Sequence, residues 1–116
     1  MKKQSFAALA ASLALSLLAA HAVASDFVSS TQAASHVGKV ATVCGKAVDI
    51  ANVNGDTFIN LDKPYPHHDF VFYYYGFDFP INKFKNKEVC GTGLITIHKS
   101  KPNIVIKRPS EISFKN

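Results

Sequence analysis

KVATVCGKAVDIANVNGDTFINL, residues 39–61, reads as two strands and the turn that joins them. Over residues 39–48 the side chains alternate, with Ala41 and Val43 on one face and Thr42 and Cys44 on the other. That is the two-residue period of a strand. Gly45 inside the run predicts a bulge or sharp bend. Asn52-Val53-Asn54-Gly55-Asp56 is a turn cluster, and Asn54-Gly55 is the pair best suited to the positive φ angles of a tight hairpin. Residues 57–61 then form the second strand.

Working outward, the proline-containing stretch at residues 62–68 separates this hairpin from a third strand at 70–75, dense in aromatics. Residues 77–86 carry Pro80 and predict a short helix or an irregular crossover. Residues 89–98 form a fourth strand, which Gly91 and Gly93 allow to curve strongly. Ser100-Lys101-Pro102-Asn103 turns the chain into a fifth strand at 104–107, and Pro109-Ser110-Glu111-Ile112 closes the unit. On the other side, Ser29 and Gln32 have capping-box spacing. They open a short helix with Ala33, Ala34 and Val37 on its apolar side and Gly38 placed to end it. Five short strands with glycine kinks and one interruption predict an all-β fold with small helical additions, a closed or nearly closed barrel.

The first two dozen residues have a different character. Lys2 and Lys3 precede an apolar run over residues 6–20, and Ala22-Val23-Ala24 offers small residues for cleavage. Residues 1–24 are expected to be a signal peptide, too short for a permanent anchor of about 20 apolar residues. The remaining 92 residues, 25–116, suit one domain in a periplasmic or secreted protein. Without Lys2 and Lys3, eleven basic residues face eight acidic ones, a net charge of about +3. This permits contact with a polyanion without demanding it. Cys44 and Cys90 are the only cysteines, and an even count in an oxidising compartment predicts a disulfide. Closing a loop of about 46 residues contributes roughly 3 to 4 kcal/mol in the chain-entropy model.

Several segments together resemble a known family. His36-Val37-Gly38-Lys39, Thr42-Val43-Cys44-Gly45-Lys46, Thr57-Phe58-Ile59-Asn60-Leu61 and Lys63-Pro64-Tyr65-Pro66 are similar in order and spacing to small bacterial OB-fold domains. So are Phe70-Val71-Phe72, Val89-Cys90-Gly91-Thr92-Gly93, Lys101-Pro102-Asn103-Ile104-Val105 and Pro109-Ser110-Glu111-Ile112. The family is the anticodon-binding-like, nucleic-acid-binding OB-fold group, and the likeness spans residues 35–112. It implies a five-stranded Greek-key barrel preceded by a short N-terminal helix. It also implies that the first and fourth strands pair, bringing Cys44 beside Cys90. Two departures stand out: the third strand is aromatic where relatives look aliphatic, and Gly91 replaces a more usual valine. The first is expected to alter the binding face and the second to loosen the core.

The resemblance puts the ligand face on the second and third strands. Alternation turns Phe70, Phe72 and Tyr74 inward and Val71, Tyr73 and Tyr75 outward, beside Phe58 and Asn60. Exposed rings next to lysines are what sequence-tolerant single-strand binding uses. Lys99 and Lys101, near the loop between the fourth and fifth strands, could touch phosphates. The candidate ligand-binding set is therefore Phe58, Asn60, Tyr73, Tyr75, Lys99 and Lys101. The expected partner is single-stranded nucleic acid, with an envelope protein or small ligand on the same face as the alternative. His67-His68-Asp69 has no further ligand pair at zinc spacing and reads as a polar loop rather than a metal site. With two glutamates and one arginine beyond residue 24, no carboxylate pair shares a strand face. Neither an enzyme nor a cofactor is expected.

Overall fold

The computed structural model describes residues 26–116, so the signal-peptide reading of residues 1–24 lies outside the described residues. The strands are β1 (Asp26–Ser29), β2 (Val40–Val53), β3 (Asp56–Leu61), β4 (Phe70–Tyr74), β5 (Glu88–Leu94), β6 (Thr96–His98), β7 (Lys101–Ile106) and β8 (Ile112–Phe114). Helical structure among the described residues is confined to 3₁₀ segments at Ser30–His36 and Pro109–Glu111 and one short helix, α1 (Ile81–Phe84). The fold is all-β with small helical additions.

One sheet runs in the order β6-β7-β4-β3-β2-β5-β8, with β1 paired to β2 off this path. The β4–β7 and β1–β2 pairs are parallel, and the others antiparallel. Ile95 alone separates β5 from β6, so one bent segment serves both β2 and β7. The β2–β3 hairpin turns at Asn54 and Gly55, with φ of 52° and 88°. The opening helix is 3₁₀, and Gln32 Oε1 accepts from Ser29 N at 3.4 Å.

Among the described residues eight strands stand where the sequence reading had five, and β2 and β7 differ from that reading in detail. β2 continues to Val53 instead of ending at Val48. β7 starts at Lys101, not Ile104, because Lys99 and Ser100 (φ of 49° and 70°) make the turn. The irregularity of β2 lies at Val48 and not at Gly45: Ala47 faces Leu61 while Asp49 faces Asn60, leaving Val48 extra. Gly45 serves a close approach instead, since a Cβ there would meet Asp62 Oδ2 at 2.6 Å.

The bulge resets the phase of the strand. Before it Ala41, Val43 and Ala47 face the core, and after it Ile50 does. The core fills with Ile59 and Leu61 from β3, Phe70 and Phe72 from β4, and Ile104 and Ile106 from β7. The expected loosening at Gly91 does not occur. A Cβ there would stand 2.7 Å from Phe72 Cε1, so the Phe72 ring, fully buried, occupies the space a larger residue would take. The aromatic β4 and the glycine in β5 are one packing solution.

Cys44 and Cys90 sit directly opposite each other on β2 and β5 and form a disulfide, with Cα atoms 4.1 Å apart. Beside it on the same pair of strands, Thr42 and Thr92 hydroxyls meet at 2.6 Å. The first half of β2 is thus held by β1, β5 and a covalent bond.

Candidate ligand groove

The outer face of β3, β4, β7 and β6 collects the side chains that the core leaves out. Phe58 pairs with Tyr73, and Tyr73 with Val105. In the next row Asn60 pairs with Val71 and Val71 with Asn103. The bulge at Val48 adds β2 to this surface, because Asp49 and Ala51 stand opposite Asn60 and Phe58. Had β2 kept its original phase, Asp49 would have pointed into the core.

A groove of about 670 Å³ opens on this face, within the range of small-ligand sites. Asp49, Ala51, Phe58, Asn60 and Val71 line it from the sheet. Tyr65, Pro66 and His68 of the β3–β4 loop form one wall, and His98, Lys99 and Lys101 of the β6–β7 hairpin contribute the basic side. Asp49 secures this arrangement. Its Oδ2 accepts from Asn60 Nδ2 at 3.1 Å and from the Tyr65 backbone N–H at 2.9 Å, tying the loop to the sheet. Val71 faces outward yet is 2% exposed, and it lines the groove with Tyr65, Pro66 and His68.

His68 is the unusual member of the wall. It is 5% exposed, its ring lies 5.8 Å from that of Tyr65, and its Nδ1 is buried without a hydrogen-bond partner. Burial holds its pKa below the ordinary histidine value and the nearby Lys101 charge adds to the effect, while Asp49 and Asp69 oppose it. Asp69 in turn lies 4.0 Å from Lys63 Nζ.

An aromatic cluster adjoins the groove. Phe58 meets Tyr73 edge-on with centroids 4.7 Å apart, and Tyr73 lies 4.6 Å from Tyr75 and 5.1 Å from His98. Tyr73 is fixed by its hydroxyl, which donates to Asp56 Oδ2 at 2.7 Å. That bond, then burial and the Asp56 charge, push its phenol up to about 12. Tyr75 stays 68% exposed, as does Phe77 at 74%.

Of the six residues selected from the sequence, Phe58, Asn60, Lys99 and Lys101 line the groove. Tyr73 and Tyr75 lie beside it in the aromatic cluster. Asn60 is not an exposed contact: it is 3% exposed and bonded to Asp49. Sequence reasoning missed Asp49 and Ala51, because the strand was ended at Val48. It also missed Tyr65 and His68, since residues 62–68 read as an ordinary polar loop. His98 was legible in principle, sharing the outward phase of Thr96.

No family model matches the chain, and no curated protein matches it. Among solved structures it is similar to a Leishmania major Friedlin chain assigned as an aspartyl-tRNA synthetase, at 9% identity and a TM-score of 0.53. That alignment covers 90% of this chain and 25% of the synthetase chain. It is also similar to OBody AM1L10, solved bound to hen egg-white lysozyme, at 17% identity and a TM-score of 0.46, over 71% of this chain and 83% of that one. The chain spans about a quarter of the synthetase chain, and at 9% identity that likeness speaks for the fold alone.

Proposed function

We propose that the chain is a non-enzymatic OB-fold binding module, exported to the periplasm or beyond, that holds single-stranded nucleic acid across β3 and β4. The barrel reading is supported by the parallel β4–β7 pair and by the continuity of β5 and β6 through Ile95. The close approach of β5 to β7 adds to it, since a Cβ on Gly93 would lie 2.7 Å from Ile104 Cγ2. A disulfide between the two cysteines suits export. Among the described residues no helix is long and apolar enough to cross a membrane. Intact-mass measurement of material recovered from the periplasm should give a chain beginning at Ser25.

The observation that carries the ligand reading is the continuity of the Phe58–Tyr73–Tyr75–His98 cluster with a groove bordered by Lys99 and Lys101. Rings offer stacking to bases at about 1 to 3 kcal/mol each, and lysines at the edge meet phosphates. The test is a fluorescence titration with a labelled single-stranded oligonucleotide at two salt concentrations. Binding that weakens steeply with salt supports the reading, and no binding even at low salt rejects it. A second reading, an envelope protein or small ligand on the same face, is favoured by the Asp49 carboxylate inside the groove. An apolar protein contact on this face would be far less sensitive to salt.

A further inference from the structure

We propose that the groove reads one base by its edge, selecting a base that presents an amino donor to Asp49, with cytosine the fitting pyrimidine. This rests on the nucleic-acid reading and adds selectivity to it. Stacking alone is indifferent to base identity, because every base has a π-face. Selection needs polar groups fixed in a place where water is excluded. Asp49 is fixed in this way, half-buried in the groove. Its Oδ2 is occupied by two donors, Asn60 Nδ2 and Tyr65 N. Among the described residues nothing donates to Oδ1, and the residue lines the groove.

The surroundings fit a base with its phosphate. Phe58, Tyr65 and Val71 give flat or apolar walls, while Lys99 and Lys101 lie on the hairpin side, where an anion is stabilised. Asn60 and His68 are both more than nine-tenths buried at this groove, and His68 Nδ1 has no partner. A carboxylate oxygen accepts from cytosine N4, whereas thymine places the O4 acceptor at the corresponding position. Carboxylate against carbonyl oxygen is repulsive, so the discrimination comes from rejection as well as attraction.

The same hydrogen bonds make the selectivity switchable. In an Asp49→Asn variant, Asn60 Nδ2 and Tyr65 N still require an acceptor at the Oδ2 position. The introduced amide must then set its oxygen there and its NH₂ at the former Oδ1. The groove would present a donor in place of an acceptor, which suits thymine O4.

The experiment measures fluorescence anisotropy of the oxidised protein with labelled oligo(dC) and oligo(dT) of equal length, and repeats it with Asp49→Asn. The wild-type protein should prefer oligo(dC) on the order of tenfold, the value of one hydrogen bond to a charged group. Asp49→Asn should lose or reverse that preference. Equal binding of the two oligomers by the wild-type protein overturns the selectivity while leaving nucleic-acid binding intact. So does a preference for oligo(dC) that survives Asp49→Asn. The wild-type ratio decides the matter even if the variant folds poorly. Binding of neither oligomer removes the underlying function, and this inference with it.

Discussion

A methyl group on Gly91 would lie 2.7 Å from Phe72 Cε1 and 2.9 Å from Ile112 Cδ1. Gly91→Val should therefore destabilise the protein by about 1 to 3 kcal/mol, the usual range for an overpacked core, as measured by denaturant unfolding. Phe72→Leu in the same chain should restore part of that loss, because the smaller side chain vacates the contested space. Tyr73 allows a different separation. Tyr73→Ala should weaken oligonucleotide binding by about 1 to 3 kcal/mol, whereas Tyr73→Phe retains the ring and should bind nearly normally. The two substitutions share the loss of the bond to Asp56. Since the folded phenol is raised to about 12 from 10, its contribution to stability is present below pH 10 and fades as pH rises through 12. Tyr73→Phe should abolish that alkaline loss and delete one late step from an ultraviolet tyrosine titration. The facing of this residue was legible, because the alternation of residues 70–75 leaves one register in which Phe70 and Phe72 are buried.

Strand β2 and the loop spanning residues 62–69 show where that legibility ended. An alternating pattern reports a strand's phase only while the strand is regular, and it does not say where between Ala47 and Ile50 the phase changes. The bulge at Val48 is fixed by pairing with β3, a contact between distant residues. The attachment of the loop likewise depends on Asp49 reaching the Tyr65 backbone, which no local signal announces. The disulfide was legible from the count of cysteines and the implied strand pairing. Replacing Cys44 and Cys90 together by serine should lower stability by roughly 3 to 4 kcal/mol in equilibrium unfolding. Ligand affinity measured well below the melting temperature should hardly change, because neither cysteine lines the groove. Acid should act on the loop instead. His68 is held neutral by burial and by Lys101, against Asp49 and Asp69. Its folded pKa lies below 6.5, so between those values the unfolded chain binds more protons and stability falls as pH falls. Hydrogen exchange over residues 62–69 should accelerate on acidification, and less so in His68→Phe.

For the molecule as a whole, charge gives little guidance and arrangement gives more. A net charge of about +3 without Lys2 and Lys3 is unremarkable, yet Lys99 and Lys101 stand together at one groove. If each meets one phosphate, Lys101→Ala should reduce the slope of log affinity against log salt by about one. The loss of affinity should be nearly the same for every oligonucleotide sequence, in contrast to Asp49→Asn. An unchanged slope would mean that Lys101 meets no phosphate. The order of the main strands could be followed along the chain because each is short and bounded by turn residues. The groove could be only half foreseen, since its wall and its acceptor come from segments whose positions depend on tertiary contacts.

The bulge at Val48 divides β2 into two stretches with different obligations. Residues before it are committed to β1, β5, the disulfide and the core. Beyond it Asp49, Ala51 and Val53 face the groove, and only Ile50 answers to the core. Natural variation at Ala51 and Val53 can therefore proceed without reopening the problem of folding solved by the first stretch, whereas Asp49 also ties the loop to the sheet. A lineage could exchange one ligand for another by altering alternate residues of a single strand, and descendants of this chain that bind different molecules should differ most at those positions.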